Sequence, residues 1–296
     1  MIRSNLFAPR AQRGFTLIEL MVAVTIGLIL TIVVASLFLH SRSTYGTTDD
    51  LSRMQENIRY TNQLLSRMVH HAGYMSAPNQ YRDVEQAPAN TAPAVVYDAL
   101  VNPVFTAAEG GSAGAPPQAL PDSFTLRFQG SSVPLPLGTP DGTVTNCQGI
   151  EIGAATISVN TFRILPGANG NNALWCDTGT SVPSAPNPAT NLEVVPDVEN
   201  MQLLFGEDTV HWQDGSPRRD RSADRYLPIT DILKVGNINK IMSVRVALLF
   251  ATPNIAAAVV TEKREYDLNG NVVGPFTDKK LRRVVTMTLN LRNRSY

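Results

Sequence analysis

Arg13-Gly14-Phe15-Thr16-Leu17-Ile18-Glu19-Leu20 opens the stretch that decides how this chain is built. From residue 15 to residue 39 there is no Lys, Arg, Asp or His and only one Glu. At about 1.5 Å per residue such a helix is long enough to cross a bilayer. Upstream stand Arg3, Arg10 and Arg13 with no acidic residue, so the basic flank is expected to stay cytoplasmic while the C-terminal bulk crosses. An ordinary secretory signal carries its small residues after the apolar run, whereas here Gly14 precedes it. Glu19 is costly in this setting, since a carboxylate deep in lipid costs about 2 to 3 kcal/mol on insertion scales. It either needs a cationic partner or sits near the interface, where snorkelling or protonation makes it cheap.

The same residues resemble the processing motif of the type IV pilins and the related pseudopilins: glycine, then phenylalanine, then glutamate four residues later. The resemblance implies cleavage between Gly14 and Phe15 by a prepilin peptidase and N-methylation of the new Phe15 amine. It also gives Glu19 a partner, the Phe15 amine of a neighbouring subunit, as a docking contact within the membrane. The implied organisation is a basic leader over 1–14, a transmembrane and filament-core helix over 15–39, an amphipathic continuation over 40–77, and a β-rich head over 78–296 placed in the periplasm and then outside the cell.

The continuation is legible from its period. Leu51, Met54, Ile58, Thr61, Leu65, Met68 and Ala72 recur at alternating spacings of three and four, with Asp50, Arg53, Gln55, Glu56, Asn57, Arg59 and Asn62 on the remaining surface. No proline interrupts residues 15–77, and Gly46 is where local loosening is expected. The stripe is read as packing on the protein's own strands rather than as a coiled-coil seam, because charged flanking pairs are missing. His70 and His71 close the helix, where imidazolium favours the negative end of the dipole. A capping role is preferred to metal binding, since no acidic or cysteine cluster accompanies them.

Past Gly73 the composition turns to Pro, Ala, Asn and Gly, which reads as a long loop region with a short β-like run at 94–97. Strands are expected at 124–128, 150–159, 162–165, 192–195, 198–205, 241–250 and 284–291, many of them alternating. Asp141-Gly142, Asn169-Gly170, Asp214-Gly215 and Asn269-Gly270 are turn signals, the last joining 262–268 to 272–276 as a hairpin. The fold class is therefore α+β, a long N-terminal helix packed on a mainly antiparallel sheet, as in pilins.

Composition excludes some functions. The formal charge is zero, and losing three leader arginines would leave 22 basic residues against 25 acidic, with no electrostatic footprint for nucleic acid. Cys147 and Cys176 lie beyond the anchor on the non-cytoplasmic side, where a disulfide is expected and free buried thiols are the alternative. Two sulfurs without His pairs make no zinc pattern. No nucleophile elbow, phosphate loop or His-Glu-x-x-His occurs, so neither an enzyme nor a cofactor is expected.

Further segments are similar to the large minor pilins of the PilW type: residues 64–74 ending Ala72-Gly73-Tyr74, Cys147-Gln148-Gly149, Leu174-Trp175-Cys176, Val198-Glu199-Asn200-Met201-Gln202 with Gly206 and Asp208, and Arg282-Arg283-Val284 through Arg292-Asn293-Arg294. That resemblance implies a structural subunit that helps start pilus assembly in a priming or tip complex, supporting twitching motility and adhesion. Its partners would be the prepilin peptidase, other minor pilins, the major pilin, the inner-membrane assembly platform and a tip adhesin. It would span the inner membrane once before assembly and sit in the pilus, at its tip, afterwards. A J-type pseudopilin of type II secretion and a pilin-anchored binding protein are the alternatives. One departure concerns Glu207, Asp208, Asp214, Asp220 and Asp224, which are spread among Arg218, Arg219, Arg221 and Arg225 rather than alternating as in a calcium loop. This segment is read as a solvated mobile loop without a metal.

Overall fold

The computed structural model describes residues 16–74, 105–108, 110, 112–113, 118–133, 139–154, 156–179, 190–213, 216–218, 220–234, 240–254 and 264–293. The chain divides into two compact units between Asp49 and Asp50. Helix α1 (Leu17–His71) contributes to both and runs without a break through Gly46.

In the first unit the apolar side chains of α1 stand exposed, from Leu17 at 76% to Leu39 at 65%, and this part of the helix is long and apolar enough to cross a membrane. In the second unit the expected stripe is buried at Met54, Thr61, Leu65, Met68 and Ala72, joined by Leu64 and Val69, while Leu51 stays exposed at its outer end. Thr61 is tolerated in this apolar row because its hydroxyl donates to the Asn57 carbonyl one turn back, 2.7 Å away. The helix stops at His71 because Gly73 takes a φ of 74°, which a side chain would resist, and its N–H leaves the helix to donate to the Arg127 carbonyl. Residues 75–77, the last of the expected helical span, lie outside the described residues.

The strands are β1 (Phe105–Ala108), β2 (Ser112–Ala113), β3 (Gln118–Ala119), β4 (Ser123–Gln129), β5 (Ile157–Pro166), β6 (Asn172–Gly179), β7 (Asn191–Pro196), β8 (Val198–Glu207), β9 (His211–Gln213), β10 (Ser216–Arg218), β11 (Arg225–Leu227), β12 (Ile241–Ala251), β13 (Arg264–Leu268), β14 (Asn271–Phe276) and β15 (Arg282–Asn290), with a short helix α2 (Ile229–Lys234) before β12. Every ladder among them is antiparallel. One sheet has the order β1-β4-β5-β6-β7 and a second the order β11-β8-β12-β15, so the fold is α+β as expected. One continuous core joins Leu65, Met68 and Val69 of α1 to Phe124, Phe128 and Phe162 of the first sheet and to Phe205, Val244 and Val246 of the second. The stripe is thus satisfied within the chain, which removes the drive for a coiled coil.

Four expectations need correction. Residues 150–154 and 156 are not a strand: Asn146 accepts the N–H groups of Gln148 and Ile150, Gly149 turns at φ 80°, and Ile150 is 57% exposed. The expected strands at 150–159 and 162–165 are instead one element, β5, beginning at Ile157. β6 went unread because Asn172–Gly179 mixes residue types, and it is a strand because β5 and β7 pair with it on both edges. β1, β2 and β3 lie in the expected loop region, while the run at 94–97 falls outside the described residues.

Candidate functional site

The N-terminal end of α1 is built by its own first turn. Thr16 donates from its backbone N–H (3.0 Å) and its hydroxyl (2.9 Å) to Glu19 Oε2, and the Glu19 N–H donates back to Thr16 Oγ1 at 3.4 Å. This reciprocal pair is a capping box, which fills an orphan donor of the helix start and places a negative charge at the positive end of the dipole. The sequence reading missed it, although Thr-x-x-Glu before an apolar run is its signature. The carboxylate stands beside Ile18, Val22, Ala23 and Ile26 on one helix face. Among the described residues only Oε2 is engaged, so Oε1 is open to an outside donor. Gly14 and Phe15, the expected cleavage and methylation positions, lie outside the described residues.

In the head, Cys147 and Cys176 form the expected disulfide, with Cα atoms 6.4 Å apart and both residues buried. The neighbouring Gln148 donates through Nε2 to the Cys176 carbonyl, so a side-chain hydrogen bond and a covalent bond hold the loop before β5 to β6.

The segment after β8 is rooted at its buried base, while its described residues 220–222, 224 and 225 are exposed, in keeping with a solvated loop. Glu207 and Asp208 are buried, and Arg225 donates from Nε to Glu207 Oε2 at 2.9 Å. Asp208 accepts the Arg221 N–H on Oδ2, and Asp224 accepts the N–H and hydroxyl of Thr209. Gly206 is required here, because a Cβ would come within 2.2 Å of Ser243 Oγ and 2.5 Å of Ala223 Cβ. Arg225 offsets the buried Glu207, and β9 pairs antiparallel with β10 further along the segment. Asp214 and Arg219 fall outside the described residues. Among the described residues no three His, Cys, Asp or Glu side chains come together as a metal set.

The histidine cap is also corrected. His70 is held below the usual imidazole range first by burial and then by Arg292, and His71 first by burial, then by Arg67 and His70. Neutral imidazoles give the dipole no charge. The carbonyls of His70 and Ala72 are capped by the Asn293 side-chain amide, at 2.9 and 3.2 Å. His71 packs its ring edge-on to Phe128, 5.6 Å between centroids.

Two further groups escaped the sequence. Asp122 is buried and accepts the Gly110 N–H on Oδ1 and the Leu203 N–H on Oδ2, tying the start of β4 to the second sheet. Arg282 is buried between Glu199 and Asp278 with its guanidinium 3.7 Å from the Phe276 ring centre, where burial would lower its pKa but the two carboxylates raise it. Both depend on residues about 80 positions apart, invisible to local pattern.

The family described as type IV pilus-assembly protein W matches residues 161–293, and the prokaryotic N-terminal methylation motif matches residues 9–35. No curated protein and no solved structure matches the chain.

Proposed function

Because the chain belongs to the PilW-type type IV pilins, we propose that it is a minor pilin that helps start pilus assembly from a priming or tip complex, in support of twitching motility and adhesion. The pilin family carries processing by a prepilin peptidase, association with other pilus components and an inner-membrane anchor, and it is a structural component rather than a known enzyme family. On this reading the peptidase cuts between Gly14 and Phe15, the Phe15 amine is methylated, and the head then meets other minor pilins, the major pilin, the assembly platform and a tip adhesin. The carrying observation is a single helix that over residues 17–39 exposes a mainly apolar surface around one carboxylate, and whose later residues are the spine of a folded head.

Glu19 is proposed to attract the Phe15 amine of the next subunit. Thr16 engages Oε2 and leaves Oε1 without a hydrogen bond among the described residues, which supports that role. An opposite charge beside a carboxylate in lipid offsets its burial more than it would in water. Replacing Gly14 with a bulky residue is expected to leave an uncleaved precursor, whereas Glu19→Ala is expected to be cut yet fail to assemble. Immunoblots for leader removal and counts of surface pili read the two steps separately, and normal piliation in both variants would refute the role.

A further inference from the structure

A cavity of about 350 Å³ opens between the β10–β11 connection and the ends of β12 and β15, lined among others by Arg221, Tyr226, Ser243, Asn290 and Arg292, with no acidic residue in its wall. The acids nearby are engaged elsewhere, Glu207 by Arg225, Asp208 Oδ2 by the Arg221 N–H, Asp220 by Ser222 and Asp224 by Thr209, with Asp208 Oδ1 buried away from the cavity wall. Among the described residues no carboxylate pairs with the guanidinium of Arg221 or Arg292. Arg292 lies near enough to His70 to help hold its imidazole below the usual range, after burial.

The wall is preformed. The Tyr226 hydroxyl lies 3.1 Å from Ser243 Oγ, Arg245 covers the Tyr226 ring at 3.9 Å, and Leu291 N–H donates to the Met242 carbonyl at 2.8 Å. Gly206 leaves no slack behind Ser243. Arg221 is held at φ 64°, a conformation a non-glycine residue adopts only where its surroundings impose it. Two arginines beside a serine hydroxyl and an asparagine amide supply the donors a carboxylate takes up, which arginine binds through two parallel hydrogen bonds.

We propose that this cavity is a docking pocket for an acidic side chain on a neighbouring protein subunit, with Arg221 and Arg292 pairing to the carboxylate and Ser243 and Asn290 completing its hydrogen bonds. The inference rests on the reading of the head as a surface that meets other subunits, and it names the chemistry by which one of them is recognised.

The test is calorimetric titration of the full-length protein in detergent micelles with N-acetyl tetraglutamate amide, with the tetraglutamine peptide and inorganic phosphate as separate probes. Saturable binding of the glutamate peptide, at least tenfold weaker in an Arg221→Gln/Arg292→Gln variant that keeps its unfolding midpoint, is the expected result. Arg292→Lys, which keeps the charge but not the fork, is expected to fall between. Equal binding of the glutamine peptide, equal or tighter binding of phosphate, or undiminished binding by the double variant would each overturn the proposal. Because this titration reads the pocket in isolation while leader cleavage and pilus counts read the assembly role, either reading can fail without the other.

Discussion

Gly206 and Asp122 show how single residues set the limits of this head. At Gly206 a methyl group has nowhere to go, because Ser243 and Ala223 already occupy its place. Gly206→Ala is expected to destabilise the head by about 1 to 3 kcal/mol, the usual range for overpacking, read as a lower midpoint in chemical unfolding; an unchanged midpoint would show that the Ser243 wall yields. Asp122→Ala would strand the half-buried N–H of Gly110 and the buried N–H of Leu203, the latter worth about 1 to 3 kcal/mol when left unpaired. Hydrogen exchange at the Leu203 amide is expected to speed up in that variant. The glycine was visible in the sequence as part of a family-like segment, but its reason was not. The need for a bare Cα arises from strands β11 and β12 closing on it, and neither is adjacent in the chain.

At the scale of elements, the end of α1 is where charge and packing compete. His70 and His71 sit at the negative end of the helix dipole, which favours protonation, yet burial beside Arg67 and Arg292 disfavours it, and the second effect wins. Their folded-state pKa values are therefore lowered relative to the unfolded chain. For a base the sign follows directly: the unfolded state binds more protons, so stability is fully present above the ordinary imidazole pKa of about 6.5 and is lost as pH falls through the lowered values. Thermal midpoints are expected to drop between pH 7 and pH 5, and His71→Gln is expected to flatten that dependence. A midpoint that rises on acidification would mean the dipole prevails. The stripe from Met54 to Ala72 was readable because a helix repeats its faces locally. β6 was not readable, since a strand with mixed residues exists only where its partners stand.

For the whole molecule, the disulfide links a loop without regular structure to the centre of the first sheet. Closing the 29-residue separation between Cys147 and Cys176 is worth about 3.6 kcal/mol in the chain-entropy model. The Cys147→Ala/Cys176→Ala protein is expected to lose about that much in denaturant unfolding, and reductant should no longer shift its midpoint. The anchor, the processing motif, the amphipathic continuation, the hairpin at Asn269-Gly270 and the cysteine pair were all determined by the sequence itself. Each rests on composition, a local period, a fixed spacing or the compartment that the anchor dictates. Tertiary structure alone decided the strand status of 172–179 and the loop status of 150–154. It also decided the burial of Glu207 and Asp208, the neutrality of the histidines and the gathering of Arg221 and Arg292 around one cavity. Those outcomes depend on which distant residues share a wall, and that is set by sheet order and by desolvation, both properties of the closed fold rather than of any stretch of chain.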